Sequence, residues 1–139
     1  MSRFARQLCQ LALLSAALGG CGKVRQISAC RAVARDVNAA VTEVEALAQA
    51  KPPDEQRIAR RYGELARTLE PRTNGVTPLA SALRDYVSVV RATEATLKAR
   101  AELPKLPYVR VGESAHELER LVKRERGAVS RIEAECGAR

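Results

Sequence analysis

Apolar residues along this chain recur in alternating steps of three and four, the spacing that lines up one face of an α-helix. From Ile27 the stripe reads Ile27, Cys30, Ala34, Val37, Val41, Val44 and Ala48. Val33, Ala40 and Leu47 widen it, as a bundle requires and a bare two-stranded coil does not. The pattern stops at Lys51-Pro52-Pro53, because a residue before proline is pushed out of the helical region. A second helix is predicted from Asp54 and Glu55, whose charges complement a helix start, with Ile58, Tyr62, Leu65 and Leu69 on its inner face. Pro71 and the Asn74-Gly75 pair end it in a turn. Thr77 before Pro78 supplies the cap and first residue of a third helix, whose stripe is Leu79, Leu83, Tyr86, Val90, Thr93 and Leu97. Glu94 and Lys98 stand one turn apart on it, in the favourable order for a helix-stabilising pair.

Pro104 and Pro107 make a loop of Leu103 to Gly112, since neither fits a helix interior. Ser114, with Glu117 three residues on, reads as a capping box that opens a fourth helix. Its inner face is Leu118, Leu121, Val122, Ala128, Val129, Ile132 and Cys136, and Gly137 suits the position just past its end. Glu125 falls on that face and is the one conflict in the pattern; it is expected to lean to the edge and pair with an arginine, a functional buried acid being the alternative. Four helices with short connections predict an all-α, antiparallel up-down-up-down four-helix bundle over residues 27–139.

The stretch ahead of the bundle is of a different kind. Arg3 and Arg6 give a positive start, Leu8 to Leu18 is almost wholly apolar or small, and Leu18-Gly19-Gly20-Cys21 closes it. The apolar run is roughly 11 residues, against the ~20 of a permanent membrane helix. This is the form of a secretory signal, and Leu18-Gly19-Gly20-Cys21 resembles the lipobox of bacterial lipoproteins. The resemblance covers about the first 22 residues. It implies a cleaved signal peptide over residues 1–20, a diacylglyceryl group on the Cys21 thiol, a further acyl chain on its amino group, and a lipidated tether over residues 21–26. Two or more chains give stable membrane attachment. Arg3 and Arg6 are not adjacent, so a twin-arginine route is not suggested. Gly22 stands where an aspartate would favour retention at the inner membrane, which points the protein to the outer membrane, facing the periplasm.

The same resemblance implies a compartment in which disulfides form. Of four cysteines, Cys9 leaves with the signal and Cys21 takes the lipid, so Cys30 and Cys136 are expected to pair. Closing so long a loop stabilises by about 4.7 kcal/mol in the chain-entropy treatment, before native strain is subtracted. An up-down-up-down bundle brings the start of its first helix and the end of its fourth together, in agreement with that pairing. The tether reaches at most ~20 Å when extended, which sets this end against the lipid and carries the Leu103 to Gly112 loop outward. Leu106, Tyr108 and Val109 are therefore candidate contacts for an envelope protein partner, although the plainer expectation is that they fold down to cap the bundle end.

Charge changes the picture less. The 139 residues hold 24 basic and 16 acidic side chains, a net +8, which falls to +6 once Arg3 and Arg6 depart with the signal. Arg84, Arg91 and Lys98 recur every seven residues and form a basic stripe for anionic lipid, lipopolysaccharide or an acidic protein, or else a solvated face interleaved with Asp85, Glu94 and Glu102. Tryptophan is absent and aromatics are 3% of the chain, too few for a nucleic-acid stacking surface. Glu113 and His116 carry the carboxylate-histidine spacing of di-iron bundles, but such sites need two of these motifs and further inward glutamates. No C-x-x-C-H haem motif or nucleophile motif is present. No catalytic residue, metal or cofactor is assigned. The expected function is a non-enzymatic structural or protein-interaction component of the envelope. The alternative is a lipoprotein that binds an anionic or hydrophobic ligand between or along its helices. A cavity between Tyr62, Tyr86 and neighbouring leucines favours the alternative; a solid core favours the first.

Overall fold

A computed structural model describes the backbone of residues 3–102 and 109–137 and the side chains of residues 22–102 and 112–137. The described residues form four α-helices: α1 (Arg3–Ala48), α2 (Glu55–Leu69), α3 (Pro78–Ala101) and α4 (Val109–Gly137), with a 3₁₀ turn at Glu70–Thr73. No strand occurs among the described residues. The all-helical class predicted from the periodicity is therefore correct.

The chain divides into two compact units, Met1–Val33 and Ala34–Arg139. The first is the leading part of α1, whose helix already includes residues 22–26, ahead of the predicted start at Ile27. Val24 and Ile27 are exposed there.

The second unit is organised around α3, which packs against α2 on one side and α4 on the other. All six predicted stripe residues, Leu79, Leu83, Tyr86, Val90, Thr93 and Leu97, are buried. Contact on two sides also buries Ala80, Ala82, Val87 and Val89, which a one-faced stripe leaves out. Leu65 and Leu69 of α2 are fully enclosed, together with Ala59 and Ala66, whose small side chains let the helices approach closely. Ile58, Ala59 and Leu97 form a cluster against which Val44 and Leu47 of α1 and Leu118 of α4 pack.

Local signals hold these helices in place. The Asp54 carboxylate accepts the Arg57 backbone N–H at 2.9 Å and caps α2. The Thr77 hydroxyl accepts the Ala80 N–H at 3.1 Å, with Pro78 in the first turn of α3. Gly75 adopts φ = 115° in the turn between them, a conformation that favours glycine. Ion pairs tie the elements together: Asp36 to Arg72 at 2.7 Å, Glu43 to Arg61 at 2.5 Å, Glu55 to Arg100 at 3.0 Å, Glu70 to Arg91 at 2.6 Å and Asp85 to Arg131 at 2.6 Å. Partly exposed pairs of this kind contribute at most about 1 kcal/mol each, so they set register more than stability.

Three sequence expectations are corrected. On α1 the inner stripe is Val33, Val37, Ala40, Val44 and Leu47, while Ile27, Ala34, Val41 and Ala48 are exposed. Val37 and Val44 belong to both stripes, so spacing alone does not choose between them. On α4 Val122 and Cys136 are exposed, and Leu121, Glu125, Ala128 and Ile132 trace the inward line. Finally, α4 begins at Val109, which puts Ser114 inside the helix rather than at its cap; once Pro107 is passed, nothing from Val109 onward forbids helix.

Candidate functional site

Val41 on α1 and Val122 on α4 are apolar yet 37% and 46% exposed. Both border an open groove of about 680 Å³. Its apolar wall comprises Val37, Val41, Val44, Val122 and Val129. Tyr62 of α2 and Tyr86 of α3 lie at its base, with Glu125 beside them, and Asn38, Glu45, Arg126 and Ser130 complete the lining. The volume falls within the ~300–1,000 Å³ range of small-molecule sites.

Glu125 sits here because it occupies an inward position of α4, between Leu121 and Ala128. The Tyr86 hydroxyl donates to its Oε1 at 3.5 Å, a long and weak bond. The expected arginine pairing is absent: among the described residues no ion pair reaches Glu125, and the phenol takes the arginine's place. Burial pushes the Glu125 carboxyl above the usual range, with the Tyr86 bond acting the other way. Burial also pushes the Tyr62 phenol up to about 12, helped by the Glu125 charge. Tyr86 moves in the same direction, for the same two reasons and through its nearness to Tyr62. At neutral pH both phenols keep their protons.

The basic stripe of α3 has its charges engaged within the chain. Arg84 donates to the Thr73 carbonyl at 2.7 Å and the Gly75 carbonyl at 2.9 Å. Arg91 bridges Glu70 and Glu94, and Lys98 donates to Glu94 at 2.6 Å, forming the pair expected from their spacing. Any anion on this stripe must compete with those partners. Glu94 is only 8% exposed. Burial raises its carboxyl, but Lys98 and Arg91 outweigh that and hold it below its ordinary value. Gly63 of α2 makes the space: a Cβ there would lie 2.7 Å from Glu94 Cδ. This glycine escaped the sequence reading, although a glycine inside a helix signals a close approach.

Of the remaining predicted residues, the described ones, Cys30, Cys136 and His116, do not line the groove. Cys30 and Cys136 are each disulfide-bonded. Cys21 lies within α1, its side chain outside the described residues; Leu106 and Tyr108 lie wholly outside them, and Val109 opens α4 with its side chain undescribed. His116 is exposed, with Nδ1 3.8 Å from Glu119 Oε2. Among the described residues no group of three or more His, Cys, Asp and Glu is arranged to hold a metal. No helix among them is long and apolar enough to cross a membrane. Comparison of the chain with protein-family models, with curated proteins and with solved structures gives no match.

Proposed function

We propose that this chain is a lipoprotein of the cell envelope, anchored through Cys21 to the outer membrane facing the periplasm, whose helical domain binds a hydrophobic ligand without catalysing a reaction. The observation that carries ligand binding is the groove with Tyr62 and Tyr86 at its base. Valines line it in place of the expected leucines. The anchoring half of the reading rests on Leu18-Gly19-Gly20-Cys21 at the end of a short apolar run.

We further propose the up-down-up-down order. Supporting it, Asp36 and Glu43 meet Arg72 and Arg61, Glu55 and Glu70 meet Arg100 and Arg91, and Tyr86 and Arg100 meet Glu125 and Ser114. In each set, moving forward along one helix moves backward along the next. Cys30 and Cys136 are taken to pair with each other.

Mass spectrometry of the native protein tests the anchoring. A mature chain beginning at an acylated Cys21, with residues 30 and 136 in one disulfide-linked peptide, is the expected result. An intact leader or unmodified thiol overturns it. Extraction of the purified native protein, with identification of released molecules, tests ligand binding; a bound small hydrophobic species is expected.

The second reading is a structural or protein-interaction component with its partner on Leu106, Tyr108 and Val109, or on the exposed valine rim. Replacing Leu106 and Tyr108 with serine separates partner contact from capping: loss of stability with no loss of co-purifying proteins removes the loop from consideration.

A further inference from the structure

The groove is not electrically neutral, and its balance selects a ligand. Three of its lining residues carry formal charge: Glu45 from α1, and Glu125 and Arg126 from α4. α2 and α3 contribute only Tyr62 and Tyr86, both protonated at neutral pH. Glu45 and Arg126 cancel, so the ionised form of Glu125 leaves the groove one negative charge in excess. No cation of the protein neutralises Glu125 among the described residues; its partner is the neutral Tyr86 hydroxyl, at 3.5 Å. A carboxylate beside a half-buried phenol is suited to an organic ammonium, which gains from the charge of Glu125 and from contact with Tyr62, whereas Tyr86 is fully buried beneath and acts through its hydroxyl on Glu125. Beyond the carboxylate, Val37, Val41, Val44, Val122 and Val129 offer apolar surface open to an entering chain.

We propose that the α1–α4 groove binds a single-chain amphiphilic amine, with its ammonium on Glu125 against Tyr62 and its alkyl chain along the valines. This rests on the ligand-binding reading above and narrows it from hydrophobic molecules in general to cations. It also departs from the anionic ligands suggested by the basic stripe. That stripe is occupied by Glu70, Glu94 and backbone carbonyls.

The test is calorimetric titration of the full native chain, held in nanodiscs of neutral lipid with empty nanodiscs as the reference. Octylamine, octanol and octanoate share a chain and differ in head group. Octylamine is expected to bind one to one, octanol about tenfold or more weaker, and octanoate weakest of all. Glu125→Gln should remove the amine's advantage over octanol while leaving octanol binding unchanged. Amine affinity should fall as the pH is lowered, because an ammonium favours the ionised carboxylate and protonation removes it. Val122→Phe, at the exposed rim, should weaken both octylamine and octanol, which places the site independently of Glu125. Octanoate binding as tightly as octylamine, or an undiminished amine preference in Glu125→Gln, overturns the cation assignment and leaves the groove as a general hydrophobic site. Failure of all three probes to bind overturns both readings.

Discussion

Gly63→Ala is expected to destabilise this protein, against the ordinary rule for helices. In a helix interior, replacing glycine with alanine normally stabilises by about 0.5–1 kcal/mol. Here the added methyl would lie 2.7 Å from Glu94 Cδ, well inside contact distance. The carboxylate must move, and moving it loosens its bonds to Lys98 at 2.6 Å and Arg91 at 3.0 Å. Charge-assisted bonds contribute about 1.5–3 kcal/mol each when enclosed, but Lys98 is 61% and Arg91 38% exposed, which discounts both towards the surface range of ~1 kcal/mol or less. Losing about 2 kcal/mol and gaining up to about 1 leaves Gly63→Ala roughly 1 kcal/mol less stable. The decisive measurement repeats the substitution in a Glu94→Ala background. With the carboxylate gone, alanine should recover its helical advantage and stabilise by about 0.5–1 kcal/mol. Urea titration of all four proteins, followed by far-UV circular dichroism under non-reducing conditions, gives the cycle. If Gly63→Ala stabilises equally in both backgrounds, the glycine is not there to make room for Glu94.

Other expectations follow from the groove and the caps. Glu125→Gln should stabilise increasingly as pH rises: a carboxyl held above its ordinary value of 4.5 in the fold loses stability as pH climbs from the unfolded to the folded value, and the amide does not titrate. Urea midpoints of the two proteins should thus converge near pH 4 and separate towards neutrality; a constant offset refutes this. Asp36 has the opposite sign, because its bond from Arg72 lowers the carboxyl below 3.8 despite partial burial. Its contribution is present above the unfolded value and lost as pH falls through the folded one, so Asp36→Asn should be weaker than the parent by roughly 1 kcal/mol at neutral pH and equal to it in strong acid. Thr77→Ala removes the hydroxyl that caps α3 and should cost about 1 kcal/mol in thermal or urea unfolding.

Legibility in the sequence followed how completely each helix is surrounded. The α3 stripe was read correctly at every position because neighbours on two sides bury whatever lies near its inward line. α1 offered two stripes sharing Val37 and Val44, and only the gap beside α4 decides that Ala40 is covered and Val41 is not. The sequence could name Tyr62 and Tyr86 as the place to look for a cavity, but not that one opens there with a valine wall, since a space between helices leaves no mark in the spacing of either. Glu125 stood out as an acid on an apolar face, but its partner lies 39 residues away on α3, beyond the reach of local pattern. The basic stripe was legible as charge, while its capture by Glu70 and the Thr73 and Gly75 carbonyls depended on how α3 meets the preceding turn.

The chain has no tryptophan and three tyrosines, and two of those tyrosines lie at the base of the groove. Apart from the weak emission of Phe4, its ultraviolet emission therefore comes from phenols, two of which stand beside Glu125. A molecule entering there would meet Tyr62 directly and Tyr86 through its bond to Glu125. The protein thus carries its own optical probe of occupancy, readable without a dye or an inserted indole.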